Sequence, residues 1–164
     1  MINWRPAQLI DIDAMIELSQ HCYELELDNL LTSNPARLAC NLAHAVINRN
    51  FNSGSQLIQT AWDQERLVAW TWMGRGAGTD YTDEATAEAH ILHVDLTLPA
   101  STRVRLINQT LDLWISWCEI LNIPLLVSTS IRRDYQAFMR LHERKGFEVR
   151  GSHAFKRINF KEQQ

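Results

Sequence analysis

Cysteine is scarce in this 164-residue chain: Cys22, Cys40 and Cys118 are all there is. An odd count at uneven spacing, in segments that read as helix, argues against the disulfide framework of a small secreted domain and suits a reducing cytoplasm. The paired-cysteine spacing that holds zinc is missing as well. Cys40 and His44 lie four apart and His21 adjoins Cys22, but cysteines on apolar helix faces are more often core, so no metal is expected. An excess of positive charge is also lacking. Nineteen acidic against sixteen basic residues leave a formal net charge of -3, which supplies no global field for nucleic acid or anionic membranes. Nucleic acid is therefore not expected as a partner, although Arg103, Arg105, Arg132 and Arg133 leave room for a local basic patch. No apolar run approaches the length of a bilayer span, and the start Met1-Ile2-Asn3-Trp4-Arg5-Pro6 lacks a signal-peptide core, so no membrane association is expected. No serine sits in a nucleophile elbow, which leaves a hydrolase without support.

What is present is one regular alternation of elements, long enough for a single domain over residues 1–164 with its own core. Ile2 to Ala7 reads as a first strand. Asp11 or Asp13 caps a helix carrying Ile12, Met15, Ile16 and Tyr23 at helical spacing. Asn34-Pro35 opens a second helix with Leu38, Leu42, Ala45 and Val46 on one face. Gln56 to Trp62 and Arg66 to Met73 form a hairpin across the polar Asp63-Gln64-Glu65. The glycine-rich Gly74 to Asp80 follows a hairpin strand and leads into another strand, so it reads as a hairpin tip rather than a nucleotide loop.

Glu88 to Leu98 is the next strand, followed by Pro99-Ala100-Ser101-Thr102-Arg103-Val104-Arg105 and an apolar helix reaching Ile123. A strand running into a helix start offers unpaired N–H groups and partial positive charge, a natural phosphate cradle. This junction carries two arginines and no glycine. The helix shows Ile107, Leu111, Trp114, Cys118 and Leu121 on one stripe and Leu106, Leu113, Trp117 and Ile120 on a second. Leu125 to Ile131 reads as a short strand suited to the sheet centre. Asp134 opens a last helix that Gly146 ends, and Phe147 to Phe160 holds one or two final strands. The fold class is α/β (α+β): a mixed, mostly antiparallel sheet of six or seven strands flanked by about four helices.

Two segments resemble the GCN5-related N-acetyltransferase (GNAT) family. Arg5-Pro6-Ala7, Asp11, Ala14 and Leu18 look like its opening strand and first helix. Arg140-Leu141-His142-Glu143-Arg144-Lys145-Gly146-Phe147 is similar to its penultimate-helix signature, normally Leu-Tyr-Glu-Lys-x-Gly-Phe. Pro99 to Ile123 falls without a gap on the cofactor segment, whose Arg or Gln, Gly and Gly or Ala places hold Thr102, Arg105 and Ile107. Tyr135 stands where an asparagine is usual. Such worn patterns look like the divergent acetyltransferase-like proteins of tailed bacteriophages, whose location would be the host cytoplasm.

The resemblance implies transfer of an acyl group, most simply acetyl from acetyl-CoA as co-substrate, to a primary amine on a small molecule or protein by direct attack. It further implies that Glu88 to Leu98 splays from Leu125 to Ile131. Pantetheine then runs along Leu96, Thr97 and Leu98, pyrophosphate lies over Thr102, Arg103, Val104 and Arg105, and Tyr135 sits nearby. A proton acceptor on the strand and a donor opposite it are needed. His93 is the candidate acceptor, with an ordinary pKa of about 6.5; Asp95 orients or replaces it, and Glu88 and His90 are reserves unless a bulge shifts the register. His142 stands where many members carry the tyrosine that protonates the thiolate. Packing remains the alternative for both histidines. The functional alternatives are a non-catalytic binding or virion-associated module of this fold and a nucleic-acid modifying relative. The apolar helix and aromatic hairpin allow a homodimer.

Overall fold

The computed structural model describes residues 2–27, 32–76, 83–133 and 135–150. Five strands pair in the order β1 (Ile2–Pro6), β2 (Gln56–Asp63), β3 (Arg66–Gly76), β4 (Thr86–Val94) and β5 (Leu125–Val127). Every pairing is antiparallel except that of β4 with β5. Among the described residues four α-helices flank the sheet: α1 (Ile12–Glu26), α2 (Pro35–Phe51), α3 (Ala100–Ile120) and α4 (Tyr135–Arg144). None among the described residues is long and apolar enough to cross a membrane.

The mixed α/β sheet is as expected, with five strands among the described residues against the six or seven read from sequence. Residues 147–150 are irregular rather than strand. The remainder of the expected terminal strands, Asp134, and residues 77–80 of the glycine-rich segment lie outside the described residues. Gly74 and Gly76 belong to β3 itself.

Alternation along the strands sends side chains to two cores. Met15, Leu18 and Cys22 of α1 and Leu42, Ala45 and Val46 of α2 pack on Ile58 and Trp70. Leu106, Leu111 and Trp114 of α3 and Phe138 and Leu141 of α4 pack on the opposite face, against Leu57, Ala69, Met73, Leu92 and Val94. Helix starts follow the sequence with one amendment. Asn34 Oδ1 accepts from Arg37 N at 3.0 Å behind Pro35. Asp11 instead turns back, accepting from Gln8 N and from both Arg5 terminal nitrogens at 2.7 Å. This ties β1 to the start of α1.

Three expectations about the second half are corrected. Helix α3 stops at Ile120 instead of Ile123, because Asn122 turns to φ 52°, and Ile120 is 76 % exposed rather than part of a buried stripe. β5 spans only Leu125–Val127, short of the expected Ile131, and is the last strand of the sheet among the described residues. β4 ends at Val94 instead of Leu98: the Asp95 carboxylate accepts from Thr97 N at 2.9 Å and from its hydroxyl at 2.7 Å, folding the chain out of the ladder. Gly146 ends α4 as expected, at φ 85° with its N–H on Glu143 O.

Candidate active site

β4 and β5 run parallel only from Thr86↔Leu125 to Glu88↔Val127. Beyond that the β4 backbone and residues 129–132 flank a cavity of about 280 Å³, whose walls include Tyr23 and Glu26 of α1, His90 and His93 of β4, and Arg132 and Phe138. The opening follows from the pairing: a strand whose neighbour ends after three residues presents backbone groups with no ladder partner on that side. Arg132 answers part of this deficit. Its guanidinium donates to Leu92 O, pairs through Nε with Glu26 Oε2 at 3.2 Å, and lies 5.0 Å over the Phe138 ring.

The register of β4 decides which side chains reach the cavity. Trp72 pairs with Ile91 and Met73 with Ala89, so His90 is the extra residue of a β-bulge. The bulge puts His90 beside Trp72, ring centroids 4.8 Å apart, on the sheet face that also carries His93 and Trp70, at 5.5 Å. The His90 ring also lies over Gly74, where a Cβ would come within 2.5 Å of its Nε2. Trp72 Nε1 donates to Gln56 Oε1 at 2.5 Å beside it.

The two strand histidines differ in basicity. His93 lines the cavity as expected, but burial, reinforced by the Arg132 charge, pushes its pKa down to about 3, and its Nδ1 has no hydrogen-bond partner. Burial thus disfavours the proton-acceptor role expected of His93. His90 is more accessible; burial lowers its pKa and Glu88 opposes the shift. The bulge on which a role for His90 depends is present.

Asp95 does not orient His93. Its oxygens serve Thr97 and the Arg66 guanidinium. Burial opposes its charge, but the Thr97 hydrogen bonds and Arg66 outweigh burial and hold its pKa below the ordinary carboxylate value. Leu96, Thr97 and Leu98 therefore belong to a turn and not to the strand, and the part of β4 that lines the cavity is Ala89–His93.

The junction after this turn also shifts. Pro99 is the N-cap and Ala100 opens α3, with no side-chain cap and no acidic residue in the first turn. Arg103 N already donates to Pro99 O, so the open N–H groups are those of Ala100, Ser101 and Thr102. Thr102, Arg103, Val104 and Arg105 lie within the first turn and a half, and the glycine places at Arg105 and Ile107 fall inside regular helix. Backbone there needs no positive φ, and the missing glycines cost access instead of strain. Arg103 Nε is buried without a partner.

His142 is 1 % exposed and does not line the cavity. Nδ1 is 3.0 Å from Phe138 O and Nε2 2.9 Å from Ser128 Oγ, which fits a proton on Nδ1 and the serine donating to Nε2. Phe138 and Phe147 meet its ring edge-on. Direct protonation of a thiolate needs access that this packing removes. Tyr135 is 47 % exposed at the start of α4.

Sequence reasoning missed Glu26 and Tyr23, and placed Arg132 only within a surface patch. Cys22 and Glu26 are four apart on α1, a spacing that brings two side chains to one helix face and was the available signal. Arg132 left none, because only the divergence of β5 brings it to Leu92.

By sequence, no protein-family model and no curated protein matches the chain. Solved structures match over nearly its whole length. A predicted acetyltransferase of Clostridium acetobutylicum, solved with acetyl-CoA, superposes at a TM-score of 0.70 with 13 % identity, covering 97 % of this chain and 96 % of that one. Glucosamine-6-phosphate N-acetyltransferase of Arabidopsis thaliana gives 0.68 with 11 % identity over 97 % and 99 % of the two chains. The aminoglycoside 6'-N-acetyltransferase of Acinetobacter haemolyticus gives 0.66 with 13 % identity, also over 97 % and 99 %. The chain has the acetyltransferase fold that its sequence resemblance implied.

Proposed function

We propose that the protein is an acyl-CoA-dependent N-acyltransferase, most simply moving acetyl from acetyl-CoA to a primary amine. The observation that carries this reading is the divergence of β4 from β5 after Glu88 and Val127, which opens a cavity beside unpaired strand backbone. The uncapped start of α3 supplies N–H groups and partial positive charge for pyrophosphate, and Arg103 and Arg105 add charge-assisted donors. Thr97, Leu98 and Tyr135 border the cofactor rather than gripping it.

Chemistry follows from the bulge. The amine nitrogen attacks the thioester carbonyl carbon, the C–S bond breaks, the excess ammonium proton passes to His90, and the CoA thiolate takes a proton from water. His90 is accessible enough to exchange that proton with solvent. His142 acts as a positioning residue that fixes Ser128 at the end of β5.

Calorimetry with acetyl-CoA tests the reading, and absence of binding at high micromolar concentration would sink it. His90→Gln lowers kcat about 100-fold with cofactor affinity unchanged; equal activity would remove His90 from the chemistry. The second reading, a non-catalytic module, is favoured by one contact: Arg132 already occupies the Leu92 carbonyl at the cavity edge. A protein that binds no acyl-CoA even as Arg132→Ala would fit that reading.

A further inference from the structure

We propose that Cys22, Glu26 and His93 form a three-ligand site for a thiophilic divalent cation, zinc being the best chemical fit, on the α1 wall of the cavity. One ligand atom from each lies within 4.8 Å of the other two. Tetrahedral zinc, with bonds of about 2.0–2.3 Å, holds its ligands about 3.5 Å apart, so side-chain adjustment closes the site. Cys22 and Glu26 come from successive turns of α1, and His93 faces them from β4.

A further observation favours a cation there. His93 Nδ1 is buried with no hydrogen-bond partner, in a ring whose second neighbour, Trp70, also leaves its Nε1 unsatisfied. Buried polar atoms are seldom left so in a native core. The Cys22 thiol donates to Val94 O at 3.4 Å, a contact that ligation of the ion would replace. An imidazole nitrogen supplies the lone pair that a metal requires. Glu26 and His93 line the cavity, which gives room for a water as fourth ligand.

Binding is balanced by one proton. The Cys22 S–H bond breaks, its proton goes to solvent, and the thiolate, the carboxylate and the neutral imidazole offset the divalent charge. No redox step is involved. The site is independent of acyl transfer, and either proposal stands if the other fails.

The test titrates Co²⁺ into the full chain carrying Cys40→Ser, which removes the exposed Cys40 beside His44. One equivalent is expected, with a near-ultraviolet sulfur-to-cobalt charge-transfer band and release of one proton. Glu26→Gln weakens binding at least about tenfold, and Cys22→Ser abolishes the band. A protein with no band, or a band that survives Cys22→Ser, overturns the proposal. Should Cys22→Ser fail to fold, zinc K-edge absorption of the zinc-loaded chain decides: one sulfur at about 2.3 Å supports the site, and a shell of nitrogen and oxygen alone overturns it.

Discussion

The two faces of the sheet hold their polar groups differently. Under α3 and α4, Trp114 Nε1 donates to Thr71 Oγ1, Thr71 donates to Ile91 O, Thr110 donates to Leu106 O, and both His142 nitrogens have partners. Under α1, Trp70 Nε1 and His93 Nδ1 have none, while Glu26 and Arg132 pair across a cavity. The first face pairs nearly all of these groups, Arg103 Nε at the start of α3 being the exception, and the second leaves several open. A buried polar atom without a partner costs about 1–3 kcal/mol, so the α1 side forgoes stability that its neighbour keeps. Such expenditure is expected where binding is the purpose.

The largest predicted effect breaks the comparison from the closed side. His142→Ala removes a ring packed by Phe138, Phe147 and Trp114 and strands the Ser128 hydroxyl. It should cost about 3 kcal/mol in denaturant unfolding at pH 8. In metal-free protein held in chelator, His93→Gln should cost under about 1 kcal/mol there, because its ring leaves no partner behind. A larger loss for His93 than for His142 would reverse the assignment of the two faces.

Acid sharpens the same contrast. His93 has a folded pKa of about 3 against about 6.5 unfolded, so below pH 6.5 the unfolded chain takes up a proton that the native one refuses. Stability contributed by the neutral ring is complete above 6.5 and falls with pH through this window at about 1.4 kcal/mol per unit. At pH 5, His93→Gln should gain about 2 kcal/mol relative to wild type, compared with their difference at pH 8. His142 shifts in the same direction, from burial opposed by the Phe138 carbonyl. Thermal melts across pH 4–8 check this; parallel curves would show that His93 is hydrated and ordinary.

Asp95 supplies a smaller effect at the boundary between the faces. Asp95→Asn should cost about 1.5 kcal/mol at pH 7 through weakened bonds to Thr97 and Arg66. Its pKa is depressed, so the wild-type contribution is present above the ordinary carboxylate value and disappears as pH falls through the folded one. The variant's deficit should therefore vanish in acid, and a deficit constant with pH would assign the loss to packing.

How far the sequence was legible divides along similar lines. Periodicity located α1, α2, α3 and the β2–β3 hairpin because burial imposes it residue by residue: Met15, Cys22, Leu42, Val46, Leu111 and Trp114 all lie in the core. Ends of elements were less visible. The stop of β4 at Val94 depends on one carboxylate folding back on Thr97, and the stop of α3 on Asn122 accepting a left-handed backbone. The cavity was inferred from family resemblance at the correct strand pair, yet its lining was displaced. A single bulged residue brought His90 forward, and the first turn of α3 fell several residues before the matched glycine places. Arg132 and Glu26 are 106 positions apart and announce nothing locally.

That pair gives the last and smallest prediction. Arg132 covers Leu92 O, a backbone acceptor on the strand edge that an extended acyl-CoA arm would use, and holds Glu26 while doing so. A ligand needing that edge binds only the fraction of molecules in which the guanidinium has moved away, and its apparent affinity falls by that fraction. Arg132→Ala removes the competitor, and acetyl-CoA should bind about fivefold more tightly, about 1 kcal/mol. Arg132→Lys should fall between, since an ammonium lacks the fork that engages Leu92 and Glu26 together. If affinity drops in both variants, Arg132 is a ligand contact and not a rival for the edge, and the open face is already organised for its occupant.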